Sequence, residues 1–98
     1  MIIHNVFFWL KNPIAEEISG FIEELKKLEK IAEIKQMHVG VPAPIIRPVV
    51  DNSYTVGLTV FFMDLKGHDA YQVHVDHKTF LANNKEKWSK VQIYDINV

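Results

Sequence analysis

Residues 2–10 of the chain read IIHNVFFWL, and this stretch decides the fold. Most of its residues are β-branched or aromatic, and an Asn-Pro pair follows it closely, which is typical of a β-strand. Successive side chains of a strand point to opposite faces, so Val6 and Phe8 share one face while Phe7 and Trp9 share the other. Both faces are apolar, and we therefore expect both to be buried.

The pattern changes after this strand. Apolar residues now recur at alternating steps of four and three, which predicts an amphipathic helix over residues 13–30. Asn12 is in position to cap this helix, and Pro13 to be its first residue. The apolar stripe consists of Ile14, Ile18, Phe21, Leu25 and Leu28.

Three later segments alternate as strands do. They are residues 33–41, residues 53–62 and residues 91–96. The alternation places Ile34 on one face with Gln36 and His38, and Tyr54 on one face with Val56. Residues 42–48 contain three prolines, which remove three hydrogen-bond donors, so this segment is predicted to be a loop.

Two helix starts follow the third strand. Asp64 is expected to cap a helix that runs to about His74, and Asp76 is expected to cap the segment HKTFLAN. The resulting order β-α-β-β-α-β predicts an α+β, ferredoxin-like fold: a four-stranded antiparallel sheet with the helices on one face. At 98 residues the chain is expected to form a single domain over 1–98.

A sheet that is apolar on both faces needs a second layer, and the chain has no segment left to supply it. Hydrophobic residues make up 48% of the chain, a high share for a small monomer. We therefore expect a homodimer in which two copies pair through the open sheet face. Phe7 and Trp9 are expected at this interface, whereas His4 points with Val6 and Phe8 towards the helices.

Charge and composition exclude several functions. The net charge is −1 and the basic residues are scattered, so no nucleic-acid partner is expected. Cysteine is absent, which excludes disulfides, thiolate metal sites and cysteine nucleophiles. The N-terminal apolar run is short, and it lacks a basic region and a cleavage site. We expect a soluble cytoplasmic protein with no membrane partner.

Chemically capable side chains are concentrated in the segment GHDAYQVHVDHKTF at residues 67–80. Tyr71 and His74 lie one helical turn apart and share a face, and His77 follows three residues later. Their side chains are expected to converge. Imidazole titrates near neutral pH and a phenol can donate to a developing oxyanion, so the set suits proton transfer.

Tyr71, His74 and His77, together with His4 in the first strand, resemble the pattern of the stress-responsive A/B barrel (Dabb) family. That pattern has a Tyr, two further residues, and then His-Pro-any-His. The order and spacing match over nearly the whole chain. One departure is Val75, which replaces the usual proline and leaves the helix break to Asp76.

The resemblance implies a dimeric α/β barrel and a pocket between sheet and helices. A plant branch of the family is a polyketide cyclase that performs an aldol closure with a His and a Tyr of this motif. By that likeness His77 is the general base and Tyr71 orients or polarises a substrate carbonyl, so that a small apolar organic ligand is expected. The predicted substrate-binding residues are His4, Val6, Phe8, Phe21, Leu25, His74 and Phe80.

Other functions stay open at this point. The chain is alternatively a non-catalytic stress-associated dimer, or a monooxygenase of the wider dimeric α/β barrel superfamily. No cofactor fingerprint is present, and we expect no cofactor. His68, His74, Asp76 and His77 have ligand chemistry, but their spacing matches no standard zinc signature, so no metal is expected.

Overall fold

A computed structural model describes all 98 residues and confirms the ferredoxin-like α+β fold. The four strands are β1 (Ile2–Leu10), β2 (Ile34–Gly40), β3 (Val56–Phe62) and β4 (Trp88–Asn97). The helices are α1 (Ala15–Lys26), α2 (Leu65–Val73) and α3 (Val75–Asn84). All strand pairs are antiparallel, and the order in the sheet is β2-β3-β1-β4. None of the helices combines the length and apolar character that crossing a membrane requires.

The central strand β1 separates the two faces of the sheet as its sequence predicts. Its even-numbered residues are buried against the helices, and its odd-numbered residues are half-buried on the open face. Phe21 and Leu25 of α1 pack on the helix side, where they are almost completely buried. The hydrophobic core therefore lies between the sheet and one layer of helices.

The first helix begins later than its periodicity predicts. Asn12 does not cap it and Pro13 is not its first residue: Ile14 is the N-cap, and its side chain makes no capping hydrogen bond. The Ile14 N–H donates to the backbone oxygen of Asn12 at 2.9 Å, so a tight turn uses these residues before the helix starts. Beyond Lys26 the chain continues as a 3-10 helix over Lys27–Lys30.

The second strand contains an irregularity that the sequence pattern does not reveal. Ile34 lies opposite Phe62 and Gln36 lies opposite Phe61, so Lys35 is an extra residue in the ladder. Ile34 packs against the core as Met37 does. The prediction that Ile34 shares a face with Gln36 is therefore wrong, because the bulge reverses the alternation at this point.

The third strand begins at Val56, three residues later than expected. Tyr54 lies ahead of the regular ladder and contacts Phe7 on the open face, with 4.9 Å between the ring centroids. The prediction that Tyr54 shares a face with Val56 is therefore wrong. Trp9 and Tyr94 flank the same aromatic group on the open face.

Two short helices follow β3, in agreement with the two helix starts expected from the sequence. Asp64 caps α2 as predicted, because its side chain accepts a hydrogen bond from the Gly67 N–H at 2.9 Å. The chain then extends at His74, whose Nδ1 accepts from the Asp76 N–H at 3.0 Å and caps α3. Asp76 is not the cap, since α3 starts one residue before it; its carboxylate lies in the first turn, where the helix dipole favours it.

Candidate functional site

A cavity of about 240 Å³ lies between the sheet and the helices. Eleven of its 14 lining residues are hydrophobic, and the polar groups come from β1, α2 and α3. The lining consists of His4, Val6, Phe8, Leu25, Leu28, Leu58, Tyr71, Gln72, His77, Phe80, Leu81, Trp88, Val91 and Ile93. Such a cavity, mostly apolar with a few converging polar groups, has the usual form of a small-molecule site.

Tyr71 and His77 meet in this cavity although they belong to different helices. Their ring centroids are 4.5 Å apart, because the extended backbone at His74 turns α3 back towards α2. Tyr71 is only 1% exposed. None of the side-chain hydrogen bonds of the chain involves its hydroxyl. Burial raises the pKa of Tyr71, so the phenol stays protonated and able to donate.

Burial favours the neutral form of the His77 imidazole. Burial is the main cause that lowers the pKa of His77. The backbone of Gln72 raises this pKa, and the charges of neighbouring histidines lower it further. The Nδ1 atom of His77 is buried and has no hydrogen-bond partner. An unpaired buried nitrogen is uncommon in folded proteins, and a catalytic role is one of the explanations for it.

The third polar group of the cavity is His4, which β1 presents towards the helices. Its Nδ1 lies 2.5 Å from Oδ1 of Asp95, the residue directly opposite it on β4. Burial lowers the pKa of His4, and the Asp95 carboxylate opposes this shift. Because Nδ1 is engaged by the carboxylate, the second ring nitrogen is the one left for other partners. The ring of His4 lies 6.1 Å from that of Tyr71.

The structure brings together most of the residues that the sequence predicts for the site. The lining includes the predicted residues His4, Val6, Phe8, Leu25, Tyr71, His77 and Phe80. Phe21 and His74 lie outside it. Phe21 fills the core between Phe8 and Phe80, and His74 caps α3.

Several residues at or beside the cavity are not among those predicted from the sequence. Gln72, Trp88, Val91 and Ile93 line the cavity, and Asp95 pairs with His4. The sequence does indicate the position of Asp95. It follows Val91 and Ile93 at steps of two residues, so its side chain lies on the same face of β4 as theirs. Its pairing with His4 depends on the strand register, which the pattern does not contain.

The histidine-rich segment does not form the cluster considered from its spacing. The structure does not bring the ligand atoms of these four residues together: His68, His74, Asp76 and His77. The chain has one group of metal-ligating side chains, and it consists of His4, His68 and Asp95. Their ligand atoms lie within 4.8 Å of one another.

Comparison with known proteins identifies related folds. Among solved structures, a Dabb family protein with a ferredoxin-like fold from Mesorhizobium loti is 26% identical, with a TM-score of 0.83 over 99% of this chain and 95% of that one. A dimeric ferredoxin-like protein of unknown function from Thermobifida fusca is 21% identical, with a TM-score of 0.79 over 99% and 90%. A hydroxynitrile lyase from Passiflora edulis is 18% identical, with a TM-score of 0.78 over 99% and 92%.

The two less similar structures show the shared fold alone. No curated protein matches the chain. The family model described as the stress responsive A/B barrel domain, Dabb, matches residues 2–98, and its match includes the whole cavity and the His4–Asp95 pair. The chain therefore belongs to the stress responsive A/B barrel domain family.

Proposed function

We propose that this protein binds a small apolar carbonyl compound in the cavity and catalyses proton transfer on it. The observation that carries the proposal is the meeting of Tyr71 and His77, 4.5 Å apart, in a cavity lined mostly by hydrophobic side chains. A filled core would have favoured a purely structural role for the domain. The open volume beside two polar rings favours a ligand instead.

The size of the cavity limits the ligand. A cavity of about 150 Å³ holds benzene, and drug-sized ligands occupy roughly 300 Å³ or more. At about 240 Å³ the cavity suits a compound with one or two rings. The aromatic rings of Phe8, Phe80 and Trp88 form one apolar wall against which such a ring system packs.

The polar groups have complementary roles in the proposed chemistry. Neutral His77 removes a proton from the carbon next to the carbonyl, and the C–H electron pair moves into the enolate. Tyr71 donates a hydrogen bond to the oxygen on which negative charge develops. The proton on His77 is then returned to the same carbon, or in an aldol reaction to the newly formed alkoxide. Both roles require a neutral imidazole and a protonated phenol, which burial favours for these two residues.

The proposed working form is a homodimer paired through the open sheet face. Several solved structures with this fold are described as dimeric. The open face of this chain carries a half-buried aromatic group around Phe7, Trp9 and Tyr54. Pairing of this face leaves the cavity free, because the cavity lies on the other side of the sheet.

The test is deuterium exchange on 2-tetralone, a bicyclic ketone with acidic protons beside its carbonyl. In deuterium oxide, proton NMR should show that the wild-type protein accelerates the exchange. His77→Gln should lower the acceleration by at least about 100-fold. The control is His38→Gln, which changes an exposed imidazole on β2 outside the cavity and should keep the wild-type rate.

Two outcomes would overturn the proposal. One is wild-type exchange no faster than that caused by free imidazole at the same concentration. The other is equal loss of exchange in the two variants, which would show that the rate does not depend on the imidazole in the cavity.

A further inference from the structure

We propose that His4, His68 and Asp95 form a binding site for a divalent transition-metal ion. The three side chains come from β1, α2 and β4, so the fold rather than local sequence brings them together. Their ligand atoms lie within 4.8 Å of one another. Two imidazoles and one carboxylate are a ligand set that zinc and ferrous iron both accept.

The geometry needs little adjustment to accept an ion. His4 and Asp95 are directly opposed across the β1–β4 ladder, and the rings of His4 and His68 are 5.1 Å apart. Ligand atoms around a tetrahedral ion with bonds of about 2.0 Å are separated by about 3.3 Å. The widest gap between two ligand atoms is at most 4.8 Å and therefore has to close by at most about 1.5 Å. The Asp95 side chain is 44% exposed, and an ion bound by both residues would replace its hydrogen bond to Nδ1 of His4.

The surroundings of the ligands also suit a metal. The Nδ1 atom of His68 lies 3.1 Å from Oδ1 of Asp69, and its Nε2, which an ion would use, has only a long contact of 3.5 Å with Nε2 of Gln72. Histidine ligands commonly have a carboxylate on their second nitrogen, where it fixes the ring and raises its basicity. The Phe62 ring packs against both His4 and His68, so one side of the site is shielded from water.

The ligand set identifies the class of ion. Imidazole nitrogens select zinc, iron, cobalt, nickel or copper over magnesium and calcium, which prefer oxygen ligands throughout. Three protein ligands leave at least one coordination position for water or an external ligand. The site shares His4 with the cavity, but His68 and Asp95 are not part of the cavity lining. The proposal therefore does not depend on the catalytic one.

The test uses untagged full-length protein from which metals have been removed with a chelator. Calorimetric titration with Zn²⁺ should give about one ion per chain, and Co²⁺ should give the visible absorption bands of a nitrogen- and oxygen-ligated site. Mutation of a residue that only hydrogen-bonds a metal ligand lowers metal affinity by about 10- to 100-fold. Loss of a ligand itself costs more, so His68→Ala should weaken binding by at least about 100-fold. The control is His38→Ala, which removes an exposed imidazole on β2 and should bind as wild type does.

Circular dichroism of each variant checks that the fold is retained. We expect His68→Ala to fold, because His68, although largely buried, lies on a surface helix and alanine is the best helix former. If His68→Ala fails to fold, Asp95→Asn provides the same comparison. The proposal is overturned if wild type binds neither ion stoichiometrically, or if binding persists in the folded variant. Tyr71→Phe should lower ketone exchange by about 100-fold and leave Zn²⁺ binding unchanged, so the failure of one proposal is distinguishable from the failure of the other.

Discussion

The ring of Tyr71 lies 4.5 Å from the ring of His77, and the residue that joins their two helices, His74, makes this contact possible. A continuous helix would have carried residues 71 and 77 to different sides, since six residues span about 600° of rotation. The extended backbone at His74 removes that constraint. The meeting of the two rings is therefore a product of the helix break.

Tyr71→Phe should lower the rate of ketone exchange and leave the stability of the fold almost unchanged. The Tyr71 hydroxyl takes part in none of the side-chain hydrogen bonds, so its removal should change the free energy of unfolding by less than about 1 kcal/mol. The exchange rate of 2-tetralone should fall by about 100-fold, because one donor to the developing oxyanion is lost. Urea unfolding and proton NMR measure the two effects. A large loss of stability with unchanged exchange would contradict the assigned role.

His74→Ala should destabilise the fold by about 1 kcal/mol, because the Asp76 N–H loses the Nδ1 acceptor that caps α3. His74→Asn is the matched control, since asparagine is a good capping residue and should retain most of the stability. Urea unfolding of both variants provides the comparison. Equal losses in the two variants would mean that the cap is not what the imidazole contributes.

Lowering the pH should destabilise the protein through His77. Burial lowers the pKa of His77 in the folded state, so below the ordinary histidine pKa of about 6.5 the unfolded chain binds more protons than the folded one. Stability is therefore fully present above that pH and falls as the pH drops through the folded-state pKa. His4, whose pKa is also lowered, acts in the same direction.

The measurement for this pH effect is the thermal midpoint between pH 8 and pH 5. In His77→Gln the thermal midpoint should fall less between pH 6.5 and pH 5 than in wild type. In His38→Gln, which removes an exposed imidazole, it should fall as much as in wild type. A wild-type curve with no decline on the acid side, or the same smaller fall in both variants, would show that burial of His77 is not its source.

Phe7→Asp should dissociate the dimer. Phe7 lies at the centre of the open-face aromatic group, and a carboxylate there would be buried without a partner on pairing. Light scattering after size exclusion should give twice the 11.4 kDa chain mass for wild type and one chain mass for the variant. Val73→Asp, on the exposed surface of α2, and His4→Ala should both stay dimeric. A monomeric wild-type protein at micromolar concentration would contradict the assembly.

Much of this fold could be predicted because it follows from local periodicity. The two apolar faces of β1 and the helical stripe through Phe21 and Leu25 are properties of consecutive residues. The convergence of Tyr71 and His77 does not follow from periodicity, because it depends on the helix break between them. The break itself was predicted near the right place, although His74 rather than Asp76 caps the next helix.

The remaining features depend on contacts between distant parts of the chain. His4 and Asp95 are 91 residues apart, and only the register of β1 against β4 places them opposite each other. The bulge at Lys35 is likewise a property of the pair of strands, since alternation within β2 alone gives no sign of an extra residue. For the same reason, the grouping of His68 with His4 could not be predicted from the spacing of the histidines.

The most direct measurement of the central claim is a crystal structure of the protein grown with 2-tetralone. The proposed function predicts electron density for the ketone in the cavity beneath α2 and α3, with its oxygen within hydrogen-bond distance of the Tyr71 hydroxyl and its acidic carbon beside the His77 ring. Density for the ketone only at other sites, or a cavity that collapses around Tyr71 and His77 when the ketone is present, would contradict it.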